Sequence, residues 1–384
     1  MAYFKFQLKG ILKNKFNYVP VILGLVLILV CLFSNASNYD KTGLRANLMT
    51  SIKENKEMSI KQTEELKKDS NTEGEINNLR NDLESTKKRL KQEEDVISYM
   101  NSENWQSTYE RLLKINAEDK EMFESSKEDY HDVEQAIKKE KMYYQYLKIQ
   151  DMPYQDPDFP TKGFTFMMWC LSHVLPLIVV ISVIYILTHV YSKKFYEQIN
   201  KSSLFPYSKM KNISQNLLLG IVVGSSLFFI FLFFSLVVSG LIFGFGSSDF
   251  PILMYNFSKE EFYYQGLQTL YLPSVTLFLL ALVFCILLVY WLNYVLRNQL
   301  TALFISLILI VSPMLLIYVI QPMSKIAHLL PTTYLSSLRS TSGMLSSSLN
   351  NAQVNLGMGL QIMVISCILM LGLIVGTQFK IKKY

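Results

Sequence analysis

The chain has 384 residues, of which 50% are hydrophobic and 18% charged, with 37 Lys and Arg against 31 Asp and Glu. That much apolar composition, with the charge gathered into separate blocks, excludes an ordinary soluble domain and a disordered tail. The four cysteines, Cys31, Cys170, Cys285 and Cys367, lie in apolar stretches with no CxxC pair, so they read as small core residues.

In chain order, residues 1–18 set Phe4, Leu8, Ile11, Leu12 and Phe16 against Lys5, Lys9, Lys13 and Lys15. This pattern predicts a basic amphipathic helix lying in a membrane interface. Residues 19–34, "VPVILGLVLILVCLFS", contain no charge and form the first predicted span. A signal peptide is the alternative, because small residues follow the apolar run. A retained anchor agrees better with an even number of spans.

Residues 35–163 form the one large polar insert, with twenty-one basic and twenty-seven acidic residues, a balance of −6. Between Asn47 and Met152 there is no Pro, and Gly74 is the only Gly, which favours long helices. Ile76, Leu79, Leu83, Leu90, Ile97 and Met100 follow a 3–4 spacing interrupted at Thr86 and Glu93. A second run places Tyr109, Leu112, Phe123, Tyr130, Val133, Ile137, Tyr144 and Leu147 in the same register, with gaps at Asn116, Asp119, Ser126 and Glu140. Two imperfect heptad seams joined at "NSEN" predict an antiparallel, coiled-coil-like helical hairpin. A helix over about 46–68, poor in apolar residues, is expected to attach only loosely. "DMPYQDPDFP" ends the helical part. The insert reads either as a solvated stalk or as a surface that captures a substrate or partner.

Further charge-free stretches at 164–191, 214–245, 271–296, 300–321 and 356–379 complete six spans. The first two of these are long enough to be tilted. Between them, 192–213 is a basic loop in which a short membrane-surface helix and a Pro-marked turn are expected. Residues 246–270 and 322–355 are the remaining loops, and 380–384 the tail. With the N-terminus inside, the inner segments carry thirteen basic residues (Lys5, Lys9, Lys13, Lys15, Lys193, Lys194, Lys201, Lys209, Lys211, Arg297, Lys380, Lys382, Lys383) and one acid, Glu197. The short outer loops carry only Lys259, Lys325 and Arg339. The positive-inside bias therefore predicts inner termini and an outer insert. The fold class expected is an all-α polytopic membrane protein of six spans with an outer helical insertion.

Chemical motifs are sparse. The chain has no GxxxxGK[ST] phosphate loop, no HExxH and no GxSxG. His131, His173, His189 and His328 are scattered, and His173 and His189 read as packing or interfacial residues. The spans hold no acidic residue to serve as an ion relay, which argues against an ion-coupled carrier. Small-xxx-small pairs at Gly220 and Gly224, Ser235 and Ser239, and Gly372 and Gly376 permit close helix packing or a dimer seam.

Four features together resemble the membrane subunit of an ABC-2-type ABC transporter, of the branch with a large outer segment between spans one and two. They are the basic N-terminal helix, the loop "FYEQINKSSLFPYSKMKNI", the large insert, and "HLLPTTYLSSLRSTSG" before the last span. The resemblance implies an elbow helix involving Phe4, Lys5, Leu8, Lys9 and Phe16. It implies an ATPase-coupling loop around Glu197, Phe205, Pro206, Lys209 and Lys211. It also implies an outer re-entrant element containing Pro331, Tyr334, Leu338 and Arg339, in which Pro331 starts a short helix, the leucines dip into the outer leaflet, and Arg339 and the serines face water. The usual glycine after the loop glutamate is replaced here by Gln198-Ile199-Asn200-Lys201-Ser202.

The resemblance further implies a permease in a bacterial plasma membrane, with no catalytic residue, metal or cofactor of its own. ATP and Mg would act in a separate cytoplasmic ATPase, and the permease would work as a homodimer or beside a second permease. No nucleic acid is expected. The exported cargo would be a peptide such as a bacteriocin or signal peptide, a lipid or a drug. The competing reading is an anchored outer stalk acting as receptor, scaffold or mechanical transmitter, similar to the phage-infection-protein type.

Overall fold

The computed structural model describes residues 2–67, 73–125, 131–193, 195–196, 199–200 and 208–380. The chain is mostly helical, and among the described residues six helices are long and apolar enough to cross a membrane. An amphipathic helix α1 (Ala2–Lys13) leads through a short turn into α2 (Tyr18–Thr42). Pro20, in the first turn of α2, removes an N–H that would have no intrahelical acceptor there.

The described residues of the insert form four helices: α3 (Leu44–Glu65), α4 (Glu73–Asn101), α5 (Trp105–Ser125) and α6 (His131–Ile149). Consecutive helices pack side by side, α3 on α4, α4 on α5 and α5 on α6. The hairpin expectation is corrected, because the second seam is carried by two helices and not one. The seam residues Tyr130 and Ser126 lie outside the described residues. The loose attachment of the first helix is also corrected. Buried Glu93 accepts hydrogen bonds from Ser51 Oγ at 2.7 Å and Asn55 Nδ2 at 3.0 Å, both on α3. Glu93 and Thr86, read as gaps in the seam, are the contact with α3. A polar residue fills the seam because a third helix supplies its partners.

The return through 150–162 is pinned at several points. Asn35 Nδ2 donates to Pro160 O, Ser239 Oγ to Thr161 O, and Lys162 Nζ to Phe243 O. Then α7 (Gly163–His173) and α8 (Leu175–Ser192) divide the predicted second span, which breaks at Val174. Pro176 explains the break, since it lacks an N–H and its ring crowds the carbonyl four residues back.

After α8, Phe195–Tyr196 (β1) and Ile199–Asn200 (β2) pair antiparallel, so the surface helix expected in this loop does not occupy these positions. α9 (Lys209–Phe243) starts on a Ser208 cap that accepts the N–H of Lys211. Its 35 residues give a length of roughly 50 Å, more than a bilayer core requires.

The all-α expectation also fails at 251–266. Pro251–Asn256 (β3) and Glu261–Gly266 (β4) form an antiparallel hairpin in register Pro251↔Gly266 to Asn256↔Glu261. α10 (Gln268–Leu296) turns sharply at Arg297, φ 51°, into α11 (Gln299–Leu316), whose first turn is capped by Asn298. The predicted span 300–321 is therefore shorter as a helix, which ends three residues after Pro313. Short helices α12 (Gln321–Ile326), α13 (Ser337–Thr341) and α14 (Met344–Leu349) precede α15 (Leu356–Lys380).

α8 and α10 occupy the middle of the bundle. Ile178, Val183 and Leu187 pack with Leu277, Phe278, Ala281 and Cys285 in one core. α2, α11 and α15 turn apolar side chains outward, including Leu23, Val30, Phe304, Ile308, Ile368 and Leu369. A bundle apolar on its outside as well as its inside is suited to lipid rather than water.

The glycine stripes behave differently from one another. A Cβ on Gly220 would press on the Tyr191 hydroxyl and on Ile286 Cγ2 at 2.6 Å, and one on Gly224 would reach Ile286 Cδ1 at 2.9 Å. This stripe packs α9 against α8 and α10 within the chain, so it is not a dimer seam. Gly372 and Gly376 have open space around them. Gly220→Val should lower the stability of the detergent-solubilised protein by about 2 kcal/mol through overpacking. Gly376→Val should leave its thermal midpoint nearly unchanged.

Candidate functional site

At the bundle end that carries residues 14–18, α1 lays Phe4, Leu8 and Ile11 on the core. Lys5 and Lys9 are exposed, and Phe16, at 69% exposure, leaves a second apolar edge uncovered. The five predicted apolar residues thus divide between protein and surroundings, because a helix lying across a bundle has two sides. His189 joins this corner, with its ring nitrogens at 2.8 Å from Asn14 Nδ2 and 3.2 Å from Gln299 Nε2. It therefore acts as a packing residue that ties the turn after α1 and the start of α11 to the end of α8.

Of the predicted coupling residues, Glu197, Phe205 and Pro206 lie outside the described residues. Lys209 and Lys211 stand in the first turn of α9. Lys209 Nζ donates to Gln378 O at 3.1 Å on α15 and lies near the Phe379 ring. Gln378 Nε2 donates to Tyr290 Oη at 3.0 Å on α10. Tyr290 meets Tyr191 of α8 edge to face at 5.1 Å, and Tyr191 Oη donates to Asn216 O on α9 at 3.0 Å. One polar and aromatic chain thus ties the root of the basic loop to α8, α9, α10 and α15. The sequence marked Lys209 only as a basic residue. Its link to Gln378, 169 positions away, has no sequence signal.

At the opposite end, Pro331 starts a 3₁₀ helix over Pro331–Leu335 that is followed by α13. The predicted element is helical, not extended, but it is seated in protein. Tyr334, Leu335 and Leu338 belong to the bundle core, and Tyr334 lies against Gly359 of α15. The expectation that the serines face water is corrected, because Ser336, Ser337, Ser340 and Ser342 are buried. Two of these hydroxyls bond to carbonyls of the element itself, Ser340 Oγ to Ser336 O at 3.0 Å and Ser342 Oγ to Arg339 O at 3.3 Å. Arg339 is half-buried and donates to Tyr318 Oη at 3.2 Å.

This element forms one wall of a cleft of about 770 Å³ between the insert and the bundle. The facing wall is α6 with the 150–162 return, and the hairpin β3–β4 closes a side. Tyr143, fully buried, donates to Gln155 O at 2.6 Å and packs against Tyr154, Phe250 and Tyr264, with ring centres 5.2–6.2 Å apart. Asp156 Oδ1 accepts the N–H groups of Asp158 at 2.9 Å and Phe159 at 3.1 Å, which fixes the turn that presents Asp158. Burial lifts the Asp158 carboxyl above its ordinary pKa, and Asp156 adds to the shift. Burial also lifts the Glu140 carboxyl, a hydrogen bond from Asn116 opposes the shift, and Asp119 adds to it. Both side chains keep accessible surface because they open onto the cleft, while the surrounding protein strips part of their hydration. Burial pushes the Tyr143 and Tyr144 phenols well up, so they stay neutral.

No family model, curated protein or solved structure matches this chain. The cleft was not among the sites expected from sequence. Glu140 and Tyr144, one turn apart, were seam positions there, and "PYQDPDFP" was only an exit from the helices. The available signal was the density of Tyr and acid from Tyr143 to Phe159. It gains meaning only when β4 and α13 are brought against it.

Proposed function

We propose that this chain is the membrane-spanning permease subunit of an ATP-driven exporter of the ABC-2 type. In this reading the six helices cross a bacterial plasma membrane with both termini cytoplasmic and residues 35–163 outside. A separate ATPase binds the basic 192–213 loop, and two permease chains form the working unit. The single observation that carries the reading is the Lys209–Gln378–Tyr290–Tyr191 chain. A force applied to the loop at the root of α9 reaches four spans through three hydrogen bonds of 3.0–3.1 Å and one edge-to-face ring contact at 5.1 Å. Such a connection suits a chain that has no phosphate loop of its own and receives its energy from a partner. The outward apolar faces of α2, α11 and α15 offer surface for lipid and for a second copy. The insert sits against the bundle along the cleft, which suits a part of the translocation machinery better than an independent stalk.

The test is co-purification with an ATPase encoded beside it, followed by ATP hydrolysis in vesicles containing both. The pair is expected to stay together through purification and to hydrolyse ATP. Glu197→Ala with Pro206→Ala should cut association and hydrolysis at least about tenfold, a loss of about 1.4 kcal/mol of coupling. If the chain purifies alone and the double variant behaves as the parent, the exporter reading fails.

A further inference from the structure

We infer that the cleft between α6, the 150–162 return and α13 is a binding site for an organic cation with an apolar body. Its walls are rings, including Tyr144, Tyr154, Tyr264, Trp169 and Phe159. Aromatic faces attract a cation and shelter an apolar body at the same time. The volume, about 770 Å³, lies within the range of small-molecule sites.

The charges in the cleft are divided unequally. Lys139 and Arg339 line it but are committed to other partners. Lys139 Nζ sits 3.9 Å from the centre of the Phe262 ring, and Arg339 lies over Tyr318 at 5.2 Å. His173 stacks on Trp169 at 4.9 Å, with Nδ1 3.0 Å from Trp169 O. Glu140 and Asp158, by contrast, form no ion pair with any described residue. Asp156 is occupied in its own turn. Glu140 and Asp158 therefore open onto the cleft as exposed carboxyl groups, Asp158 with His173 nearby. The carboxyl groups lining the cleft outnumber Lys139 and Arg339 three to two, and the surrounding protein makes an attraction to a ligand cation stronger than in bulk water.

Tyr144 supplies the independent observation. It is 7% exposed and lines the cleft, and its hydroxyl makes no hydrogen bond to a described residue. A nearly buried phenol opening into a cavity, with no hydrogen bond to a described residue, is available to meet a polar group of a ligand. A neutral apolar ligand would leave this hydroxyl unmatched and bring no charge to the two carboxyl groups. An anion would meet three carboxyl groups against two cationic side chains.

That the bound cation is cargo rests on the export reading. The binding does not, and the test reads binding to the permease chain alone, so failure of ATPase coupling leaves it standing. The full chain in zwitterionic-lipid nanodiscs is dialysed against tetraphenylphosphonium and, separately, tetraphenylborate, ions of nearly the same shape and opposite charge. Empty nanodiscs give the lipid background. Saturable uptake of about one tetraphenylphosphonium per chain is expected, with tetraphenylborate no higher than background. Glu140→Gln with Asp158→Asn should weaken cation binding roughly tenfold or more, and Tyr144→Phe a few-fold. If the carboxamide pair does not fold, Tyr154→Leu reads the aromatic wall and should also weaken binding about tenfold. Uptake equal to empty nanodiscs, equal saturation by both ions, or full affinity in the folded variants overturns the proposal.

Discussion

Replacing Arg89 by Ala is expected to loosen the insert by about 3 kcal/mol, the cost of leaving a buried carboxylate without its cation. Arg89 Nε donates to Glu93 Oε1 at 3.0 Å, and its two terminal nitrogens hold both oxygens of Asp119 at 2.8 and 3.1 Å. The Glu93 side chain is only 2% exposed, while those of Arg89 and Asp119 are 31% and 28% exposed. The substitution therefore leaves Asp119 able to hydrate and strands Glu93, with only Ser51 and Asn55 as neutral donors. Since those two come from α3 and Asp119 from α5, the loss should spread over three helices. Amide hydrogen exchange on the full chain should show reduced protection in α3, α4 and α5 together. Arg89→Met with Glu93→Leu removes the charge along with its partner and should recover most of the loss. Unchanged protection in α3 after Arg89→Ala would mean that apolar packing alone holds that helix.

Gly343→Val is expected to cost roughly 4 kcal/mol, from two causes at one position. Gly343 has φ +75°, a conformation that costs a side-chain-bearing residue about 1–3 kcal/mol. An added Cβ would also run into the carbonyl oxygen of Tyr255 on β3. That oxygen belongs to backbone held by the hydrogen bond from Tyr255 N to Ser342 O at 2.9 Å, so it cannot rotate away as a side chain would. Overpacking of this kind adds about 1–3 kcal/mol. The variant should show a lower thermal midpoint in detergent and, because Leu338, Arg339 and Ser342 line the cleft, a distorted cleft. Gly372→Val, in open space on α15, is the matched control and should change little. Equal midpoints for the two variants would show that the β3–α13 junction yields freely.

Much of the helical outline was legible in the residues. A stretch of about 20 uncharged apolar residues has one stable backbone arrangement in a bilayer, because each N–H and C=O must be satisfied within the segment. The start of the 3₁₀ turn at Pro331 was legible for a similarly local reason, since Pro tolerates that position and few interior ones. The break at Val174 was missed although Pro176 stood in the sequence. A proline near the middle of an apolar run can bend a helix or end one, and neighbouring packing decides which. The β3–β4 hairpin was missed because "PILMYNFSKEEFYYQG" has no tight-turn dipeptide. Its turn uses Glu260 at φ 52°, which glutamate seldom adopts unaided.

The cleft shows the same division. Glu140 and Glu93 both interrupt apolar seams at helical spacing, and from spacing alone they are equivalent. Glu93 found Arg89, Ser51 and Asn55 and became a structural knot, while Glu140 opens onto the cleft and forms no ion pair with a described residue. The amino-acid sequence by itself determined the six apolar helices, the basic N-terminal helix and the helical character of the insert. These depend on periodicity and on the transfer of side chains within one segment. Only the tertiary structure decided which acids are paired, which glycines are packed, and that Tyr144, Asp158 and Tyr264 share one cleft. Those outcomes depend mostly on contacts between separate elements, from 30 positions apart for Arg89 and Asp119 to 121 for Tyr143 and Tyr264, and no local energy encodes them.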